Sequence, residues 1–411
     1  MAFSPKESMA SRRQALGLSA LGLTSAFGLV ACGSSADNAS SSASATPSEK
    51  PKYAGKVSVV PENEATEHNP THPATVTGEE GTTLKSVKLV NDTTGAELKG
   101  TLSDDKTTWT SSEDLEFDTQ YTLRYTAIDS QKVEGKGESP FGTVTAANQA
   151  DAWIPNVQEG GVYGVGQILE FHFSEPVVNK DAIEKLISVT GKGVGEGKIR
   201  WYSDTVARWR TEDYLPARTA ITAKANILGV DLGNGMIGNS NLVVNFSTSD
   251  KRYALADNNT KTMQMFVNDK LVNTVPITLG NEDWPSVVGK LVVIEQEATY
   301  KFDPTTLGLK KGDPHWYEPF TAHNTSRLTN SGVFVHQALP SAYAYVGVGN
   351  VSHGCLGMMP ADAQYFFDTF DVGDIVETVN TGYPMADPDN GYGDWNIPFA
   401  SYSDENYKGD W

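Results

Sequence analysis

Ser331-Gly332-Val333-Phe334-Val335-His336 and, after a gap of fifteen residues, Ser352-His353-Gly354-Cys355-Leu356 are the two most informative segments of this sequence. The first is apolar from Val333 to its terminal histidine, a pattern typical of a buried strand. The second is followed by Pro360, a residue type favoured in the first turn of a helix, and by apolar side chains at helical spacing as far as Phe370. These segments predict a strand, a cysteine-bearing loop and a helix, in that order.

Cys355 is a candidate nucleophile. The chain contains 2 cysteines, and the other one, Cys32, lies close to the N-terminus. A cysteine attacks as the thiolate, and a pKa near 8.5 leaves most of the thiol protonated at neutral pH. A histidine within hydrogen-bond reach is needed to remove the proton and to return it to a leaving group. The alternative interpretation of a lone cysteine is a small buried apolar side chain.

The histidines nearest to Cys355 in the sequence are His336 and His353. We favour His336 as the base, because a base aimed at a thiol more often comes from a separate element than from two residues away. Gly354 lets the backbone approach a reacting carbonyl closely. The N–H groups of residues 353–355 are then expected to hold the developing oxyanion.

Composition and charge argue against several function classes. The 411 residues include 32 basic and 51 acidic side chains, and the formal net charge is −19. This balance argues against nucleic acid as a partner, because phosphate neutralisation needs clustered Lys and Arg. With 39% hydrophobic residues the bulk of the chain is globular, and its length predicts several domains. The Asp and Glu residues form no recognisable acid/base pair, which leaves a glycosidase unsupported.

Residues 1–31 are similar to an export signal. Lys6, Arg12 and Arg13 precede an uncharged, mostly apolar stretch that ends in a small residue before Cys32. A cysteine at this place resembles the lipobox of bacterial lipoproteins, in which the thiol takes a diacylglyceryl group, and the paired arginines resemble a twin-arginine signal. We therefore expect an exported protein whose Cys32 anchors it to the outer face of the cytoplasmic membrane. A signal-anchor helix is the alternative.

Downstream of the signal, the pattern predicts a tether and two β-sandwiches. Residues 32–52 are rich in Ser and Ala, which is typical of a flexible tether. Residues 53–149 and 150–250 consist of short alternating runs broken by turn signals, a pattern that fits immunoglobulin-like sandwiches. A weak repeat supports this division, since Trp109 and Trp209 precede similar strand patterns in the two blocks.

Residues 251–380 predict a β-rich domain with at least one helix. Its first strands flank Asn268-Asp269-Lys270, a hairpin signal. Residues 381–411 are rich in Gly, Pro, Tyr, Trp and Asp, and we expect this C-terminal tail to pack on the same domain. The predicted fold class is mostly β and multidomain.

His336, followed after fifteen residues by Ser352-His353-Gly354-Cys355, resembles the active-site motif of the L,D-transpeptidases with a YkuD-type catalytic domain. The resemblance is strong over residues 150–411 and looser over 53–149, and its domain order is that of actinobacterial members. It implies a cell-wall enzyme whose cysteine attacks the carbonyl of the third stem-peptide residue of a tetrapeptide donor and expels the terminal D-alanine. The amine of a neighbouring stem peptide then resolves the thioester into a 3→3 cross-link. Carbapenems are implied as covalent inhibitors, and no cofactor is implied.

Carried over by position, the resemblance makes Cys355 the nucleophile and His336 the base. His353 and Gly354 would shape the oxyanion site. The substrate groove would be lined by Ser331, Gly332, Tyr317, Ser352 and Gly357.

Two positions depart from the family pattern. Gln337 stands where Ser is frequent, but the family uses the backbone carbonyl of that residue to orient the base, so the change is expected to be harmless. Gly357 stands where Asn is usual and removes a polar side chain near the substrate. A cysteine hydrolase of the L,D-carboxypeptidase type, with water as the acceptor, and a non-catalytic wall-binding lipoprotein with a degenerate site are the alternative functions.

The remaining histidines have plainer interpretations. His68 and His72 are separated by Asn69-Pro70, which excludes a helical pair and favours a solvated loop over a metal site. His172 alternates along a predicted strand. His315 and His323 precede the segment at Ser331, and the favoured interpretation is that they do not contact substrate.

Overall fold

The computed structural model describes residues 50–314, 316–385, 387–409 and 411. The predicted signal, the lipidation site Cys32 and almost all of the tether lie outside these residues. Within the described ranges, no helix is long and apolar enough to cross a membrane.

The first module is a β-sandwich over residues 56–142. One sheet has the strand order β1-β2-β6-β5 and the facing sheet has the order β4-β3-β7-β8. Side chains from both sheets, among them Val76, Trp109, Leu89 and Leu123, meet in one buried core. The strands are β1 (Lys56–Val60), β2 (Thr75–Glu79), β3 (Thr83–Asn91), β4 (Glu97–Leu98), β5 (Gly100–Leu102), β6 (Thr108–Ser111), β7 (Gln120–Ile128) and β8 (Glu134–Gly142).

The second module is a similar sandwich over residues 149–248. Its sheets have the orders β10-β12-β15-β14 and β11-β18-β16-β13, and β9 pairs in parallel with β17. The elements are β9 (Gln149–Ala150), β10 (Ala152–Trp153), β11 (Val162–Tyr163), β12 (Leu169–Phe173), α1 (Lys180–Glu184), β13 (Ile187–Gly191), β14 (Gly197–Trp201), β15 (Val206–Thr211), β16 (Ala220–Ala225), β17 (Ile237–Gly238) and β18 (Leu242–Thr248).

The tryptophan repeat has a structural counterpart in these sandwiches. Trp109 and Trp209 are both buried, and each lies beside a glycine on the neighbouring strand. A Cβ atom on Gly100 would lie 2.0 Å from the ring of Trp109, and one on Gly197 would lie 2.0 Å from the ring of Trp209. In both modules that glycine pairs with the residue two positions after the tryptophan. The weak sequence repeat therefore reflects a shared packing of indole against bare backbone.

The third module is built on a mixed sheet with the strand order β22-β27-β19-β20-β21-β26-β25-β24-β23. The strands β25 and β26 are parallel and lie next to each other within it. Its elements are β19 (Arg252–Asp257), β20 (Thr262–Val267), β21 (Lys270–Thr278), β22 (Gly289–Val292), β23 (Glu295–Phe302), β24 (Phe320–Arg327), β25 (Phe334–Gln337), β26 (Leu356–Met358), α2 (Pro360–Thr369) and β27 (Ile375–Val379).

The predicted helix is α2, and it covers one face of this sheet. Ala363 and Phe366 of α2 pack against Val335, Leu356 and other buried side chains. Because successive strand residues point to opposite faces, the neighbours of Val335 and Leu356 must face away from the helix. This alternation puts Phe334 and His336 on the side of the sheet that faces away from the helix.

The predicted hairpin is present, and its turn is one residue shorter than expected. Val267 pairs with Lys270, so Asn268 and Asp269 form a two-residue loop. Their φ angles are 51° and 63°. Positive φ at both loop residues characterises the type I′ turn, whose twist matches that of the flanking strands.

The C-terminal tail lies between the second sandwich and the third module. Arg208 of β15 donates to the carbonyls of Pro388 and Gly391, both at 3.0 Å. On the other side, the side chain of Asn396 accepts from the N–H of Lys290 at 2.7 Å. The sequence predicts a tail that packs on the third module, and the structure adds a second partner, the outer face of β14 and β15.

Candidate active site

The parallel pair β25–β26 brings the predicted nucleophile and base to one face of the sheet. His336 is in register with Gly357, and Val335 is in register with Leu356. Val335 and Leu356 face the helix, so Phe334 and His336 on one strand face the opposite side together with Cys355 and Gly357. There Cys355 packs with Phe334 and Phe302 in a separate apolar cluster.

Cys355 is a buried, protonated thiol. It is 8% exposed and is a free cysteine. Burial raises its pKa to about 11, and the hydrogen bond from the N–H of Phe334 offsets only part of this effect. Its Sγ lies 3.6 Å from the carbonyl oxygen of Gly332, to which the thiol donates. The thiol therefore needs a base before it can attack.

His336 is held as a neutral base. Its Nδ1 lies 2.6 Å from the carbonyl oxygen of Gln337, and because a carbonyl only accepts, Nδ1 carries the proton. Nε2 is then unprotonated and able to accept. Burial lowers the pKa of His336 and outweighs the effect of the Gln337 carbonyl. The expectation that the backbone of Gln337 orients the base matches this geometry.

A cavity of about 640 Å³ lies over this face. Its inner wall is aromatic, with the ring of Phe302 at 4.9 Å from that of Phe334, at 5.0 Å from that of Phe320 and at 5.7 Å from that of His336. These rings exclude water from the thiol and the imidazole, which explains the direction of both pKa shifts. Most of the predicted site residues line the cavity: Tyr317, Ser331, Gly332, His336, Ser352, His353, Cys355 and Gly357.

His353 and Tyr317 lie at the outer side of the cavity. The ring of His353 is 5.4 Å from that of Tyr317 and 5.9 Å from that of Trp284, and His353 is exposed. Burial raises the pKa of Tyr317, and the nearby Cys355 raises it further by a smaller amount. The phenol of Tyr317 therefore stays neutral. Trp284 is a cavity residue that the sequence pattern did not single out. The position of His353 at the rim is consistent with His336 as the base.

Ser331 and Gly332 form a turn that is hydrogen-bonded to the C-terminal tail. Asn390 accepts from the N–H of Ser331 and donates to its hydroxyl, both at 2.8 Å. Gly332 has φ +99°, a region that favours glycine, and its carbonyl faces Sγ of Cys355. Sequence reasoning missed Asn390, because the turn composition of residues 387–391 indicates a loop but not its partner.

Ser352 and Gly354 shape the backbone around Cys355, the candidate nucleophile. The hydroxyl of Ser352 donates to the carbonyl of Cys355 at 2.6 Å, so this predicted groove residue also holds the main chain. Gly354 is buried, does not line the cavity and has φ +106°. A residue with a Cβ would be strained in this conformation.

Gly357 faces a tightly filled corner of the cavity. A Cβ atom there would lie 3.0 Å from Cγ2 of Thr278 and 3.3 Å from Cβ of Ala338. Thr278 is itself fixed, because its hydroxyl donates to the carbonyl of Gly349 at 2.8 Å. The space for a larger side chain at position 357 is therefore occupied by neighbouring side chains.

The other histidines lie away from this site. His323 is exposed on β24 and does not line the cavity, and His315 lies outside the described residues. Nε2 of His68 is 2.9 Å from the carbonyl of His72, and His172 pairs with Glu170 at 2.7 Å. Within the described residues, no group of His, Cys, Asp and Glu is arranged to hold a metal ion.

Comparisons with known proteins identify two families of domain in this chain and several similar proteins. A bacterial Ig domain model matches residues 65–231, and an L,D-transpeptidase catalytic domain model matches residues 251–378. L,D-transpeptidase 2 of Mycobacterium tuberculosis (strain CDC 1551 / Oshkosh) is 35% identical over 340 residues, which cover 82% of this chain and 81% of that protein. L,D-transpeptidase 1 of Mycobacterium tuberculosis (strain ATCC 25618 / H37Rv) is 30% identical over 220 residues, covering 54% of this chain and 81% of that protein.

Among solved structures, LD transpeptidase LdtMt1 in complex with imipenem is 29% identical and aligns with a TM-score of 0.48, covering 55% of this chain and 97% of its own. The match to L,D-transpeptidase 2 spans most of both chains, and the catalytic domain model covers β25, β26 and the cysteine between them. The chain therefore belongs to the L,D-transpeptidase family.

Proposed function

We propose that this protein is a peptidoglycan L,D-transpeptidase that acts through a thioester on Cys355. The observation that carries the proposal is the parallel register of β25 and β26, which puts Cys355 and His336 on one face beneath the cavity. Family membership supports the reaction class, and the neutral thiol and imidazole support His336 as a general base.

In the first half-reaction the thiol of Cys355 attacks the carbonyl that precedes the terminal D-alanine of a tetrapeptide donor. The S–C bond forms, the thiol proton moves to Nε2 of His336, and the carbonyl electrons move onto oxygen. When the intermediate collapses, the C–N bond breaks and His336 returns the proton to the leaving D-alanine amine. The product of this step is the thioester.

In the second half-reaction the side-chain amine of a neighbouring stem peptide attacks the thioester. A C–N bond forms, the C–S bond breaks, and the amine proton passes through His336 to restore the thiol of Cys355. The result is the 3→3 cross-link. Water in place of the amine would instead release a tripeptide, the outcome expected of a hydrolase.

β-Lactams of the carbapenem class are the proposed covalent inhibitors. Their strained amide presents the same electrophile to Cys355, and ring opening leaves the acyl group attached because no leaving group departs. The complex of LdtMt1 with imipenem is in keeping with this proposal. The aromatic wall formed by Phe302, Phe320 and Phe334 suits an apolar ring system.

We also propose that the protein is exported and anchored by a lipid on Cys32 to the outer face of the cytoplasmic membrane. The support is the sequence pattern of residues 1–32. The tether and the sandwiches would then hold the cavity out in the cell wall. Globomycin-type inhibition of lipoprotein processing should increase the mass of the cellular protein, and an unchanged mass would contradict lipid anchoring.

The decisive test compares the wild-type protein with Cys355→Ala on a disaccharide-tetrapeptide. We expect the wild type to form dimers and to gain the mass of a carbapenem, and the variant to do neither. Tripeptide without dimer from the wild type would favour the hydrolase. A carbapenem adduct on the Cys355→Ala protein would exclude Cys355 as the nucleophile.

A further inference from the structure

Ser286, which lies outside the cavity lining, is bonded to the backbone next to the nucleophile. Ser286 is almost fully buried, with 1% of its surface exposed. The hydroxyl donates to the carbonyl of Gly354 at 2.7 Å and accepts from the N–H of Gly280 at 3.0 Å. Ser286 therefore ties the loop that follows β21 to the residue preceding Cys355.

The peptide bonds on both sides of Cys355 are thus held by hydroxyl groups. Ser286 holds the carbonyl of Gly354, and Ser352 holds the carbonyl of Cys355 at 2.6 Å. In a trans peptide the C=O and N–H groups point in opposite directions. Ser286 binds this carbonyl and lies outside the cavity lining, so the N–H of Cys355, on the opposite side of the same peptide, is expected to point to the cavity.

An oxyanion forms on that side when the thiol attacks. A preorganised N–H aimed at the developing charge stabilises the transition state more than the ground state. Gly354 has φ +106° and no side chain to restrict it, so its peptide needs an external contact to keep one orientation. The bond from Ser286 supplies this contact.

We propose that Ser286 is a positioning residue for acyl transfer, which holds the Gly354–Cys355 peptide so that the N–H of Cys355 stabilises the oxyanion. This inference rests on the proposed function. Ser286 does not touch substrate, and it acts through the main chain of the nucleophile.

The test separates oxyanion chemistry from thiol reactivity in the full chain. Attack on a carbapenem forms an S–C bond and places charge on oxygen, whereas alkylation by iodoacetamide forms an S–C bond and expels iodide without an oxyanion. For Ser286→Ala we expect carbapenem acylation to slow by about 10- to 100-fold, less than the roughly 100- to 1,000-fold loss seen when an oxyanion donor is removed outright, because the N–H of Cys355 is still present. Iodoacetamide should modify Cys355 at an unchanged rate.

Matched variants distinguish positioning from folding. Ser286→Thr keeps the hydroxyl and should restore acylation. Ser111→Ala removes a buried hydroxyl that accepts from the N–H of Ala74 at 2.9 Å in the first sandwich, and it should change neither rate. All rates are measured well below the melting temperature of the least stable variant.

Two outcomes would overturn the proposal. Acylation of Ser286→Ala at the wild-type rate would show that the bond does not matter to the reaction. A parallel loss of acylation and alkylation would show a general role in folding. A wild-type protein that resists the carbapenem but reacts with iodoacetamide would contradict the proposed function instead, so the two failures are distinguishable.

Discussion

The protonation states of single residues decide how the site starts its reaction. Burial raises the pKa of Cys355 to about 11 and lowers that of His336, so thiol and imidazole are both neutral at neutral pH. In the proposed reaction the proton therefore moves during the attack. This differs from cysteine sites in which a thiolate and an imidazolium exist before substrate arrives.

This assignment predicts the pH dependence of acylation. His336 accepts the thiol proton only when neutral, and its pKa lies below the usual 6.5. The acylation rate should therefore stay constant as the pH falls to about 6.5 and decrease only at lower pH, by up to about tenfold per unit. Stopped-flow measurement with a carbapenem gives the profile. Thiolate absorbance at neutral pH that disappears in Cys355→Ala would contradict the neutral pair.

The corner at Gly357 predicts a coupled pair of substitutions. A Cβ at position 357 would lie 3.0 Å from Cγ2 of Thr278, so Gly357→Ala should lower the free energy of unfolding by about 1–3 kcal/mol through overpacking. Thr278→Ser removes Cγ2 and keeps the hydroxyl that bonds Gly349. The double variant should recover part of the loss in urea unfolding. Strict additivity of the two substitutions would show that the contact is relieved in another way.

At the scale of elements, the contact between the tail and the turn at Ser331 predicts a kinetic effect. Asn390 makes hydrogen bonds to both the N–H and the hydroxyl of Ser331. The next residue, Gly332, accepts a hydrogen bond from the thiol of Cys355 through its carbonyl. Asn390→Ala should free this turn and slow acylation by about tenfold or more, because small displacements of reacting groups are costly. The measurement is the second-order rate constant with a carbapenem.

The control for this prediction is Asn245→Ala. Asn245 is exposed in the second sandwich and bonds Thr222 and Glu159, so its loss removes comparable contacts away from the cavity. We expect acylation at the wild-type rate in this variant. Equal rates for Asn390→Ala and the wild type would mean that the turn keeps its shape without the tail.

For the whole molecule, Arg208 predicts how the second sandwich and the tail depend on each other. Its side chain is 5% exposed and pairs with Glu170 at 2.6 Å and with the fully buried Asp394 at 3.2 Å. Arg208→Met would remove the guanidinium from the buried Asp394 and leave Glu170 with His172 alone, and breaking a buried ion pair in this way costs about 3–5 kcal/mol. Urea unfolding followed by tryptophan fluorescence should show this loss.

Arg218→Met provides the comparison. Arg218 forms an ion pair with Asp250 at 2.6 Å, but its side chain is 72% exposed, and solvent screens such pairs. The urea midpoint of the Arg218→Met variant should stay close to that of the wild type. Midpoints of the two variants that shift by the same amount would show that burial of Arg208 adds nothing to its contribution.

Much of the fold follows from local pattern. The alternation in residues 83–90 and 121–127 predicts strands that occur as parts of β3 and β7, and the apolar spacing from Pro360 predicts α2. Strand alternation and helical spacing are properties of neighbours in the chain, so they can be recognised without tertiary contacts. The hairpin at Asn268 follows from local pattern in the same way, although its exact length depends on the pairing of Val267 with Lys270.

Patterns in the sequence suffice to single out a candidate nucleophile and base, whereas the contacts that hold these two residues depend on how distant segments pack. Cys355 and His336 stand out because only a few residue types can serve as nucleophile and base, and their strand and loop pattern is local. The contacts of Ser286 with Gly354, of Asn390 with Ser331 and of Arg208 with Asp394 join residues 68, 59 and 186 positions apart. No periodicity in the chain records such pairs, because they arise only when separate loops pack together and bury their polar groups against each other.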